Sequence, residues 1–134
     1  MTKGKVEDKA PAWLWIPRIA AAAVMALVAY LKLTGNPADV ALFEQLGMEP
    51  YGRVMTGLIE AACALALMSP YAAVGGVVTS GVMTGAIIAH ATKLGFIVNN
   101  DGGKHVMLLA LVMACSLLVA YVRRRHLPFI GETL

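Results

Sequence analysis

Four long apolar runs, each close to the length that crosses a bilayer, constrain this chain more than any other feature. They extend from about Trp13 to Leu33, from Val54 to Pro70, from Ala72 to Ala91 with Val98 as the furthest reach, and from His105 to Val122. Crossing about 30 Å of hydrocarbon takes roughly 20 helical residues. In lipid every backbone N–H and C=O must be bonded inside the protein, which leaves helices or a closed barrel. The runs are continuous and do not alternate with the period of a strand, so they predict helices. Of 134 residues, 59% are hydrophobic and only 14% charged, and the mean hydropathy is +0.72, which excludes an ordinary water-soluble domain.

The punctuation agrees. All six prolines (Pro11, Pro17, Pro37, Pro50, Pro70, Pro128) fall outside the runs or at their ends, where a missing N–H is tolerated. Tyr30, Tyr51, Tyr71, Tyr121, Trp13 and Trp15 also lie at run ends, where amphipathic rings prefer the interface. The first run is longer than a signal-peptide core and follows Glu7 and Asp8, so it is expected to be retained. The predicted fold is all-α: a four-helix transmembrane bundle with a short amphipathic outer helix between helices 1 and 2.

Lys and Arg near the spans set the orientation. Seven (Lys3, Lys5, Lys9, Arg18, Arg123, Arg124, Arg125) lie on the side of the termini and four (Lys32, Arg53, Lys93, Lys104) on the other. Both termini are therefore expected in the cytoplasm, in a multi-pass protein of the plasma (inner) membrane. Residues 1–12 read as a cytoplasmic polar tail, 13–122 as the transmembrane domain and 123–134 as a cytoplasmic basic tail. The Arg123 to His126 run reads as a topological anchor; the net charge of +3 gives no reason to expect a nucleic-acid partner.

Lys32-Leu33-Thr34-Gly35-Asn36-Pro37 stops helix 1 and turns the chain. Beyond it Ala38, Ala41, Leu42, Gln45 and Leu46 recur at helical spacing, with Asp39 and Glu44 on a polar side, and predict the short interfacial helix. Ser69-Pro70-Tyr71 is a tight turn that makes helices 2 and 3 antiparallel neighbours. Asn99-Asn100-Asp101-Gly102-Gly103 is another turn. Close approach of membrane helices needs small residues. Gly81 and Gly85, preceded by Gly75 and Gly76, together with Gly57, Ala61, Ala22, Ala26 and Ala29, are expected to pack helices within one subunit in preference to a homodimer.

Ionisable groups in hydrocarbon are costly and point to function. Arg53, Thr56, Glu60 and Cys63 share one helical face, as do Thr79, Met83, Ala86 and His90. Lys32, Arg53, Glu60 and His90 all belong to the outer half and are expected to converge on a polar cluster that opens outward. Such a cluster suits an anionic or quinone-like head group, or proton passage between Glu60 and His90. Equally, Glu60 paired with Lys32 or Arg53 would fix helix register alone, and Arg18 and Lys32 would snorkel to opposite interfaces. No metal is expected, because the histidines lack ligand spacing, and Cys63 and Cys115 read as inert core residues. The eight methionines read as apolar filling.

Arg18 early in helix 1, the Lys32-Leu33-Thr34-Gly35 exit, Phe43 and Gly47, Gly57 and Glu60, Pro70, and the stretch from Gly81 to His90 together resemble DoxX-like membrane proteins, over nearly the whole span from Arg18 to Arg125. The resemblance implies a four-helix membrane protein, associated in some members with thiosulfate:quinone oxidoreductase or with thiol and oxidant defence; some distant relatives act as assembly factors. On that basis the chain is expected to be a membrane subunit of a redox-associated, quinone- or thiol-linked system. A small ligand or partner would bind at Lys32, Arg53, Glu60 and His90. No intrinsic cofactor is expected, a quinone being the candidate ligand, and the partners are membrane lipid and either a protein or a second copy. The alternative is a non-enzymatic accessory or assembly protein with structural ion pairs.

Overall fold

The computed structural model describes residues 10–98 and 100–133. Most of the N-terminal tail, with Lys3, Lys5 and Lys9, and Asn99 of the polar turn lie outside the described residues. Among those described the chain is all-helical, with five α-helices and no strand: α1 (Trp15–Leu33), α2 (Pro37–Gln45), α3 (Tyr51–Leu67), α4 (Ala72–Ala89) and α5 (Lys104–Val122). A 3-10 turn, Ala12–Leu14, leads into α1, and a π turn, His90–Leu94, extends α4. Ala12–Leu33, Ala72–Leu94 and Lys104–Val122 are long and apolar enough to cross a membrane. The expected second span is the exception. α3 has 17 residues, carries Arg53 and Glu60, and ends at Leu67 ahead of Ser69 and Pro70.

α1 packs on α3 and α5, and α4 packs on the same two, so four helices close a ring; α2 lies across the end where α1 finishes and α3 begins. Local chemistry explains that end. Gly35 takes a positive φ of 73° just beyond α1, where a side chain is strained, and the Asn36 N–H returns to the Leu31 carbonyl at 3.0 Å. Asn36 then caps α2 by accepting from the Ala38 N–H at 3.0 Å, with Pro37 in the first turn.

The inward face of α2 differs from the expected one. Asp39, Leu42, Phe43 and Leu46 turn toward the bundle, whereas Ala38, Ala41 and Gln45 are exposed. Asp39 is therefore an inward residue, drawn to Lys32, and the expected polar side keeps only Glu44. Val40, Leu42 and Phe43 make this short helix apolar on more than one side, so hydropathy alone does not set its rotation.

At the opposite end, Arg18 does not snorkel. It is 4% exposed, donates from Nε to the Leu67 carbonyl at 2.8 Å and from a terminal nitrogen to the Ser69 carbonyl at 3.0 Å, and lies 3.9 Å from the Trp15 ring centroid. The last carbonyls of a helix have no partner within it. Here a guanidinium from α1 serves those of α3. Arg123 in the expected basic tail is likewise buried, and Arg124 stacks over Tyr121.

The small residues pack helices as expected at Gly57, Gly75, Gly76, Ala22 and Ala29, but not at the Gly81 and Gly85 pair. Gly81 and Gly85 face open space. The closest approach is made by Gly75, where an added Cβ would come 2.8 Å from the Leu67 amide nitrogen, and by Gly76, where it would come 2.6 Å from the Ser116 carbonyl oxygen. Both obstacles are backbone. Gly76→Ala is expected to force α4 off α5 and cost about 1–3 kcal/mol, whereas Gly81→Ala should be neutral or stabilising by up to about 1 kcal/mol through helix propensity. Unfolding midpoints of the two variants in mixed micelles check the contrast.

The bundle buries small and polar groups beside a core of Leu14, Met25, Leu67, Met83, Val112 and Val119, and exposes many other large apolar side chains. Ala21, Ala22, Thr79, Ser80 and Ser116 are buried, with the Ser80 and Ser116 hydroxyls 3.0 Å apart between α4 and α5. Ile16, Ile19, Leu27, Leu65, Met107 and Leu111 face outward. In water that arrangement would be unfavourable; against hydrocarbon it is ordinary, and it points to lipid around the ring.

Candidate functional site

The end covered by α2 contains a cavity of about 330 Å³. α1 contributes Lys32 from its last turn, α3 contributes Thr56 and Glu60, α4 with its π turn contributes His90, and α5 contributes His105. These residues meet because α1 and α4 end where α3 and α5 begin. Leu42 and Phe43 of α2 and Leu46 just beyond it close the top, and Val28, Val82 and Leu109 are among the apolar walls.

The charges form a chain. Lys32 Nζ stands 3.3 Å from Glu60 Oε2 and 3.7 Å from Asp39 Oδ1, so one ammonium serves two carboxylates from different elements. Glu60 is 3% exposed, and its Oε2 accepts no hydrogen bond among the described residues beyond that ion pair. Opposite them the His90 and His105 rings lie 5.1 Å apart, tilted at 49°. His90 Nδ1 is 2.8 Å from the Gly95 carbonyl oxygen, which can only accept, so Nδ1 carries the proton. The π turn makes this bond by bringing Gly95 back to His90: the Gly95 N–H also donates to the His90 carbonyl at 2.8 Å.

Of the four residues singled out in the sequence, Lys32, Glu60 and His90 line the cavity. Arg53 does not. Its Nε donates to both Glu49 carboxylate oxygens at 2.9 Å, and a terminal nitrogen donates to the Lys32 carbonyl, so it ties the start of α3 to the end of α1. Asp39 and His105 were missed. Asp39 is hidden by the rotation of α2, whereas His105 had a signal: it opens a helix antiparallel to the one that ends near His90.

The turn before α5 sets the position of His105. Asp101 Oδ2 accepts from the His105 N–H at 2.9 Å, and Oδ1 accepts from the Gly103 N–H at 2.8 Å and the Val98 N–H at 3.3 Å. The His105 and Gly103 amides hold the Asp101 carboxyl below its ordinary pKa. A carboxyl depressed on folding adds stability that is present above its unfolded pKa and lost as pH falls through the lower folded value. The thermal midpoint in detergent is thus expected to fall below about pH 4, where an unfolded Asp begins to protonate, and Asp101→Asn should flatten that part of the profile.

Both cysteines are free, and no group of three His, Cys, Asp or Glu suited to a metal occurs among the described residues. Neither the curated proteins nor the solved structures yield a match. The model of the DoxX-like family matches residues 16–122, a stretch that includes all five α-helices except Trp15 and every ionisable residue of the cavity. With its long apolar helices and outward apolar surface, the chain is a membrane protein and belongs to the DoxX-like family.

Proposed function

We propose that this protein is an integral subunit of a redox-associated, quinone- or thiol-linked system in the plasma (inner) membrane, and that the cavity beneath α2 binds a small ligand for that system. In this reading α3 crosses the bilayer with α1, α4 and α5 as the fourth member of a transmembrane bundle. Both termini are cytoplasmic, and the cavity belongs to the outer half. The carrying observation is an apolar chamber of about 330 Å³ in which Lys32, Glu60 and His90 meet. Apolar walls with a few convergent polar groups are the usual form of a small-molecule site. The volume accommodates a single ring head group, and Lys32 and the two imidazoles give such a ring polar contacts. Any electron-carrying cofactor would belong to a partner.

The test is purification in mild detergent, with extraction of bound quinone and identification of partner chains. Glu60→Gln and His90→Ala are expected to lower the copurifying ligand while the folded yield is kept. A second reading is favoured by the way Lys32 is shared between Asp39 and Glu60: the charges would only fasten the bundle of an accessory or assembly protein. If Glu60→Gln retains ligand but melts earlier, this second reading replaces the first.

A further inference from the structure

The cavity's polar groups are unequal in kind. Two carboxylates, Glu60 and Asp39, face one ammonium, Lys32, so acceptors outnumber cations in this group of three. Glu60 Oε2 is buried without a hydrogen-bond donor beyond the Lys32 ion pair. His90 spends its Nδ1 proton on the Gly95 carbonyl, which leaves Nε2 as the ring nitrogen that can meet a ligand, as an acceptor in the Nδ1–H tautomer. An entering oxyanion would meet these two carboxylates in an apolar chamber, where repulsion is weakly screened. A small organic cation would compete with Lys32, which already stands between the carboxylates.

The rim adds a second constraint. Met48, Ile59 and Gly85 line the cavity and are also exposed on the outer surface, and a side chain at Gly85 would meet nothing within 4 Å. The opening is thus flanked by apolar residues of α3, α4 and the segment after α2. It suits a ligand that arrives from an apolar phase.

We infer that the cavity takes a neutral lipophile bearing a hydroxyl group, of phenol or hydroquinone type, whose O–H donates to Glu60 or His90 while its apolar body lies toward the Met48, Ile59 and Gly85 rim, and that it excludes oxyanions. This rests on the reading of the cavity as a ligand site and specifies the polarity of what enters. It also implies that a hydroquinone is held more tightly than its oxidised quinone, which has no O–H to donate.

Titration calorimetry on the purified full chain in detergent micelles, with 4-propylphenol, its methyl ether, thiosulfate and propylammonium as probes, tests it. The phenol is expected to bind roughly tenfold tighter than the ether, which keeps the ring but lacks the donor. Glu60→Gln should weaken phenol binding and leave the ether unchanged. His90→Phe, which keeps a ring and removes the acceptor nitrogen, gives the same readout should Glu60→Gln fail to fold. Equal binding of phenol and ether overturns the hydroxyl assignment yet leaves a ligand cavity standing. Tighter binding of thiosulfate or propylammonium overturns it in favour of a charged ligand. Saturable binding of none of the four removes the ligand-site reading itself, and this inference with it.

Discussion

Arg18→Ala is expected to cost about 3 kcal/mol of folding stability or more, because charge-assisted hydrogen bonds contribute about 1.5–3 kcal/mol each and Arg18 donates to both the Leu67 and the Ser69 carbonyls. Truncation also leaves the last carbonyl of α3 and that of Ser69 in the following turn without this donor, and removes the stack on Trp15. Arg18→Lys should recover only part of the loss, since one ammonium on a flexible stem does not reproduce a planar fork. Unfolding in mixed micelles, followed by circular dichroism, measures both. A loss below about 1 kcal/mol for the alanine variant would mean that water or lipid head groups take over those carbonyls, and that the clamp is not what closes this end.

The second large effect is expected at Lys32. Lys32→Met should cost about 3–5 kcal/mol, the range for removing one partner from a buried ion pair, because Glu60 is left as an uncompensated carboxylate among apolar walls. Asp39 suffers less, since α2 sits at the end of the bundle and has fewer contacts to hold it. Adding Glu60→Gln to Lys32→Met is therefore expected to restore roughly half of the loss, a coupling that a double-mutant cycle reads directly. If the double variant is no more stable than Lys32→Met, the two side chains are not energetically paired and the 3.3 Å contact is incidental.

The two ends of the ring were not equally legible in sequence. The long helices follow from the apolar runs, and the meeting of Lys32, Glu60 and His90 follows from their common depth on antiparallel neighbours. Which face of a helix turns inward is harder to read in a membrane chain, because interior and surroundings are both apolar and hydropathy does not separate them. Gly81 and Gly85 show this: their spacing invites packing, yet Gly75 and Gly76 make the close contacts. Arg53 stays out of the cavity for another reason. α3 begins at Tyr51, only two residues after Glu49, so a local carboxylate reaches Arg53 at i–4. Asp39 and His105 depended on the rotation of α2 and on the Asp101 turn, neither of which leaves a periodic trace.

The asymmetry between the ends has a mechanical consequence. Near Arg18 the helices are held by guanidinium bonds and by close backbone approach at Gly75 and Gly76; near Lys32, α1 and α3 still meet at Gly57 and through Arg53, but the ring as a whole encloses a chamber bridged by side chains. The register of the ring is thus set at the fastened end, and the shape of the hollow is set by the side chains that bridge it, so substitutions at Lys32 or Glu60 alter the chamber without touching the contacts that align the helices.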